Sequence, residues 1–186
     1  DHDKMGLIGR NGCGKTTLMR ILAGLDQSDE GEIIRKNGLR VRMCMQDQFF
    51  DDSKTIFKTV KASFVQAKEN YEAETILTKL GFDYLHRPVK GLSGGEKKRL
   101  ALACALCEPC DLLLLDEPFS ALDYQTRLMV SADICRLIRK SGKTVILITH
   151  DLSEAISLSD RVLVLSKRPA RVKEEVPIKL TLPDDS

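Results

Sequence analysis

Gly9-Arg10-Asn11-Gly12-Cys13-Gly14-Lys15-Thr16 follows directly on the apolar run Met5-Gly6-Leu7-Ile8. Glycines in such a loop let the backbone close around an anion, so that successive N–H groups point at phosphate oxygens. The lysine of a G-x-x-x-x-G-K-[ST] string reaches the β- and γ-phosphates, and the following hydroxyl can ligate Mg²⁺. Thr17-Leu18-Met19-Arg20-Ile21-Leu22 reads as a helix whose N-terminal dipole faces the same anion. Strand, loop and helix come in the order that a phosphate cradle needs.

Working outward, further apolar runs lie at residues 41–45, 112–115, 145–148 and 162–165. Several are continuous rather than alternating, and helical stretches separate several of them. That pattern predicts parallel strands buried on both faces, a P-loop α/β fold with helices flanking the sheet. Residues 30–38 read instead as an edge strand ending in an Asn37-Gly38 turn. From residue 51 to 90 the chain becomes charged and strand-poor, with its clearest helix at residues 71–77, as expected of an inserted helical unit. The expected organisation is one domain: residues 1–50 and 111–170 form the core, 51–110 a helical subdomain, and 171–186 a peripheral tail that carries Pro177 and Pro183.

Composition sets limits on function. A net charge of +2 gives no global electrostatic argument for a nucleic-acid partner. No apolar run approaches the roughly 20 residues that span a bilayer, so any membrane role is expected to be peripheral. Cys104, Cys107 and Cys110 have the spacing of an iron–sulfur run, but the first two sit in the apolar stretch Leu100-Ala101-Leu102-Ala103-Cys104-Ala105-Leu106-Cys107. No fourth clustered ligand follows, so small buried hydrophobes are expected rather than a metal site.

Two more stretches carry chemistry. Asp111-Leu112-Leu113-Leu114-Leu115-Asp116-Glu117 is an apolar strand ending in two carboxylates. At the phosphate end of such a sheet, Asp116 is placed to hold Mg²⁺ and Glu117 to polarise a water. Leu92-Ser93-Gly94-Gly95-Glu96 opens a helix. Taken alone, Ser93 is a helix cap and the glycines shape a turn; the same features can also bind an anion.

Together these residues resemble the nucleotide-binding domain of ATP-binding-cassette (ABC) proteins. Leu92-Ser93-Gly94-Gly95-Glu96 matches the family's signature motif between the Walker A loop and the Walker B strand. Gln46 matches the Q-loop glutamine, Ser120-Ala121-Leu122-Asp123 the D-loop, and Thr149-His150-Asp151 the switch histidine. The resemblance implies ATP bound by Gly9, Arg10, Asn11, Gly12, Cys13, Gly14, Lys15, Thr16 and Thr17 of one copy and by Ser93, Gly94 and Gly95 of the other. It further implies Mg²⁺ on Thr16, Gln46 and Asp116, with Lys15, Gln46, Glu117 and His150 serving hydrolysis. The implied partners are a second copy, head to tail, and a membrane permease at the inner face of the cell membrane, with no nucleic acid.

Up to about residue 115 the strings look most like soluble ABC-F translation factors. Beyond Pro118, Phe119-Ser120-Ala121-Leu122-Asp123 and Asp151-Leu152-Ser153-Glu154-Ala155 resemble importer ATPases of the nitrate, sulfonate and taurine group. The importer reading is favoured, because the ABC-F form of the D-loop and an aromatic-rich loop after His150-Asp151 are absent. Family members also carry about two antiparallel strands before the Walker strand, with an aromatic that stacks on adenine. Here the Walker strand begins near residue 5, so those strands are expected to be missing and discrimination between ATP and GTP weak.

Overall fold

A computed structural model describes residues 2–44, 48–64, 70–120, 122 and 124–179, with 70, 124–126 and 128–131 as backbone alone. Five apolar runs become parallel strands: β1 (Lys4–Ile8), β2 (Val41–Cys44), β3 (Leu112–Asp116), β4 (Thr144–Ile148) and β5 (Arg161–Leu165). A sixth, β6 (Val172–Pro177), adds antiparallel to β5, giving the order β2-β3-β4-β1-β5-β6.

The runs are continuous because both sheet faces are covered. On β3, Leu114 joins Leu7, Met19 and Ile148 on one face, where helix α1 (Lys15–Ala23) packs. Leu113 and Leu115 turn to the opposite face and join the larger core. There they meet helix α4 (Gly94–Cys107), whose residues Leu100 to Cys107 are all buried. A helix apolar all round must be covered all round. Helices α2 (Ile56–Lys61) and α3 (Asn70–Lys79) cover the side of α4 that faces away from β2, through Ile56, Val60, Ala73 and Leu77. Helices α5 (Tyr124–Lys140) and α6 (Leu152–Leu158) complete the layers.

The sheet order positions the site. After β1 the chain runs out to β2 at the sheet edge; after β4 it crosses β1 through α6 to reach β5. Connections that leave in opposite directions open a crevice at the carboxyl ends of the central strands.

One expectation fails. Residues 32–36 form no strand, and Ile34 is 88% exposed. Among the described residues no strand lies beside this segment, and an isolated strand has no partner for its N–H and C=O groups. Instead Arg35 donates to the Ile21 carbonyl near the end of α1 at 2.7 Å. The turn at Asn37-Gly38 is present, with Gly38 in the left-handed region.

Candidate active site

The loop from β1 to α1 owes its path to glycine. Gly14, the residue before α1, has φ 107°, which side chains rarely tolerate. A Cβ at Gly9 would stand 3.0 Å from both Cys13 Sγ and Leu165 Cβ, so a side chain here would force its neighbours aside. The first N–H groups of α1 have no intrahelical acceptor by geometry and point toward the loop. Across it lies Lys15, 7% exposed, whose Nζ donates to the carbonyls of Gly9 (2.7 Å) and Arg10 (3.0 Å).

A cleft of about 740 Å³ opens above this loop. Its lining includes Lys15, Thr16, Asp116 and Glu117 together with Leu18 and Val172. Thr16 Oγ1 donates to Asp116 Oδ2 at 2.8 Å. A hydroxyl and a carboxylate at the mouth of a phosphate loop are hard oxygen donors of the kind Mg²⁺ takes alongside substrate phosphates. The residues present therefore fit that ion.

Glu117 follows β3 with φ 47°, outside the range most side chains prefer. Its N–H donates to the Ile148 carbonyl at the end of β4 (2.9 Å). That bond brings it beside His150, whose Nδ1 lies 3.2 Å from Glu117 Oε1. Beside His150 lies a polar framework in which sequence reasoning assigned no role to Arg127 or Glu154. Asp151 caps α6, accepting from the N–H groups of Ser153 and Glu154. Arg127 pairs with Asp151 (3.5 Å) and Glu154 (3.7 Å), and Thr149 donates to Glu154. Burial pushes the Glu154 carboxyl above its ordinary range, against the pull of Thr149 and Arg127. Only the family string around His150 hinted at this framework.

The structure thus gathers Gly9 to Thr17, Asp116, Glu117 and His150 at one end of the sheet. Gln46 lies outside the described residues, as do Ala121 and Asp123. Ser93, Gly94 and Gly95 do not line the cleft. Ser93 caps α4 in a reciprocal arrangement: Glu96 N–H donates to Ser93 Oγ (3.3 Å), and Ser93 N–H to Glu96 Oε2 (2.8 Å). Burial opposes ionisation of Glu96, but hydrogen bonds from Ser93 and Arg87 hold its carboxyl below the ordinary range. A Cβ at Gly94 would meet nothing within 4 Å, so this helix end faces open space.

A phosphate loop, an acidic strand end and a histidine at one crevice of such a sheet define a P-loop nucleotide-binding cassette. The sequence matches the ABC transporter family over residues 2–120, and the chain belongs to that family. Its cassettes bind and hydrolyse ATP, and this chain is one of them. It is 41% identical over 173 residues, 92% of this chain and 66% of the relative, to the aliphatic sulfonates import ATP-binding protein SsuB 1 of Streptomyces avermitilis. It is 40% identical to SsuB 2 of Paracoccus denitrificans, covering 97% of this chain and 73% of that protein. The chain thus spans about two thirds to three quarters of these relatives' lengths. Both halves of the chain fall within these matches, including the part before residue 115 that resembles ABC-F proteins.

Among solved structures, a protein described as RNase-L inhibitor superposes with a TM-score of 0.82 at 33% identity, over 95% of this chain and 35% of that one. A bacterial ABC transporter cassette described as dimeric superposes with a TM-score of 0.77 at 22% identity, over 97% of this chain and 88% of that one, and shares the fold.

Proposed function

We propose that this chain is the ATP-hydrolysing subunit of a solute importer of the sulfonate type, working as a head-to-tail pair against a membrane permease. The observation that carries the pairing is the separation of two anion-binding helix ends. The N-terminus of α1 faces the cleft, whereas the N-terminus of α4, with Ser93, Gly94 and Gly95, faces open space outside it. A second copy can present its α4 to the γ-phosphate that the first copy leaves uncovered. Importer coupling is supported by the relatives, described as sulfonate import ATP-binding proteins at 36–41% identity. No helix among the described residues is long and apolar enough to cross a membrane, which suits a subunit docked at the cytoplasmic face.

Within the site, Lys15 neutralises the β- and γ-phosphates, exchanging its two carbonyl contacts for them. Thr16 and Asp116 would hold Mg²⁺, joined by Gln46; the ion supplies charge neutralisation to the phosphates. Glu117 accepts a hydrogen bond from the attacking water and orients it in line with the γ-phosphorus. His150, 3.2 Å from Glu117, steadies the γ-phosphate as charge redistributes. Residues 51–110 act as the helical unit that carries the signature motif.

Two variants test this. Glu117→Gln keeps shape and polarity but loses the carboxylate, so it binds ATP, fails to turn over and accumulates as an ATP-dependent dimer. Ser93→Arg blocks that dimer while leaving monomeric ATP binding nearly intact, because Ser93 serves the opposite site. Size-exclusion chromatography with ATP and Mg²⁺ reads both. A Glu117→Gln protein that stays monomeric and turns over like the wild type removes the pairing mechanism. Co-purification of a ribosome rather than a permease would move the chain to the translation-factor class.

A further inference from the structure

Lys98 lies on α4, one turn beyond Gly94 and Gly95. Its Nζ donates to Ser120 Oγ at 3.0 Å, across 22 residues of sequence. Ser120 Oγ in turn donates to the Glu117 carbonyl (2.9 Å), and Ser120 N–H donates to the same oxygen (3.1 Å). Glu117 is one of two non-glycine residues with positive φ among those described, the other being His2 near the chain start. A side chain holds such a conformation only where its surroundings over-determine it. Here the surroundings are concrete. The Ile148 carbonyl takes the Glu117 N–H, Ser120 takes its carbonyl twice, and Phe119 is fully buried between them. Lys98 adds a cation to the hydroxyl that fixes the carbonyl, and charge-assisted bonds are the stronger kind.

We propose that Lys98 is a positioning residue for hydrolysis. Through Ser120 it ties the signature helix to the Glu117 backbone and so sets the aim of the water-orienting carboxylate. The inference rests on the paired-cassette reading above and deepens it. In a head-to-tail pair, the N-terminus of α4 grips the partner's nucleotide while its next turn holds the carboxylate that serves its own chain's nucleotide. Each chain therefore senses the opposite site through a path of two side chains, Lys98 and Ser120. A shift of α4 on engaging the partner's γ-phosphate reaches Glu117 without passing through the sheet.

Steady-state hydrolysis by the whole chain tests this with Lys98→Met, Ser120→Ala, the double variant and Lys98→Arg. Removing either link lowers kcat about tenfold or more, the scale on which misplaced catalytic groups lose rate. KM for ATP stays within about twofold, since neither side chain lines the cleft. The double variant is no worse than either single one, because one path is cut once. Lys98→Arg restores most of kcat, and the Hill coefficient for ATP falls toward 1 in the other variants. The thermal midpoint of Ser120→Ala stays within about 4 °C of wild type, separating positioning from folding. Variants with wild-type kcat, strictly additive losses, or losses matched by KM or thermal midpoint overturn the role of Lys98 while leaving the paired mechanism standing. A wild-type chain without Mg-dependent turnover overturns both.

Discussion

Replacing Lys15 with alanine tests the contact proposed to dominate nucleotide binding. In the free protein Lys15 is buried, 7% exposed as a residue, and its ammonium donates to two carbonyls of its own loop, at 2.7 and 3.0 Å. Phosphate binding does not create its hydrogen bonds from nothing; it exchanges carbonyl acceptors for anionic ones. A bond to a charged group is worth about 1.5–3 kcal/mol, which spans roughly 10- to 150-fold in affinity. Because two carbonyl contacts are surrendered, the expected loss for Lys15→Ala sits at the lower end, near tenfold to thirtyfold. The freed carbonyls belong to Gly9, half-buried, and Arg10, exposed, so water can take the place of the ammonium. The fold should therefore survive, with a thermal midpoint within about 4 °C of wild type. Calorimetric titration with ATP and Mg²⁺, paired with a thermal scan without nucleotide, measures both quantities. Unchanged affinity in a protein of unchanged thermal midpoint would refute the assignment of Lys15 to the phosphates. A large loss of affinity together with a large fall in midpoint would mean that the lysine holds the loop rather than the ligand.

Other expectations follow from the same geometry. None of the described residues lining the cleft is aromatic, so ATP and GTP should compete within a few-fold of each other; a strong preference for ATP would show that some other group grips the base. Cys44 and Cys104 have thiols pushed up by burial to about 12 and about 11, so both should resist iodoacetamide at neutral pH until the chain unfolds, and rapid native labelling would contradict their placement. Hydrogen bonds from Arg40 pull the Asp111 carboxyl down from 3.8 to about 2. The stability this pair contributes is complete above the ordinary carboxylate range and lost as pH falls toward 2, so Asp111→Asn should flatten the acid limb of unfolding curves in that window. Lys143 donates to the carbonyls of Ala105 (3.4 Å) and Glu108 (2.8 Å) at the end of α4, and Lys143→Met should cost about 1–3 kcal/mol in denaturant titration. Burial lowers the Lys143 pKa from 10.5, so the folded state releases that proton first; wild-type stability should gain with rising pH just below 10.5 relative to the variant.

What could be read from the sequence is what local chemistry dictates. Gly9 and Gly14 announce the loop because a side chain would crowd the one and strain the other, and Leu112 to Leu115 announce a doubly covered strand because every residue is apolar. The stretch at residues 30–38 misled for a complementary reason. Its residues suit a strand, but a strand exists only through a neighbour's hydrogen bonds, and no local pattern reveals whether one is there. Ser93 shows a different limit: its capping of α4 and its proposed service to a second copy use one hydroxyl and one helix end. The structure shows the cap; the service to a second copy is the proposal.

The buried and half-buried lysines were the least legible. In sequence, Lys98 sits in the run Glu96-Lys97-Lys98-Arg99, and Lys143 follows a Ser141-Gly142 turn, both contexts of a solvated surface. Their partners are carbonyls and a hydroxyl 22 to 38 residues away, groups that every residue or many residues carry, so no composition or spacing marks them. The two lysines act on one helix. Lys143 fixes the last turn of α4 to the start of β4, and Lys98 joins its first turns to the loop after β3. From Leu100 to Cys107 α4 is apolar and buried, hence stiff. A helix held at one end, packed along its length and linked by one cation to the Glu117 loop transmits displacement of its free N-terminus rather than absorbing it. The signature motif sits at that N-terminus, the one part of α4 that is open to a second chain.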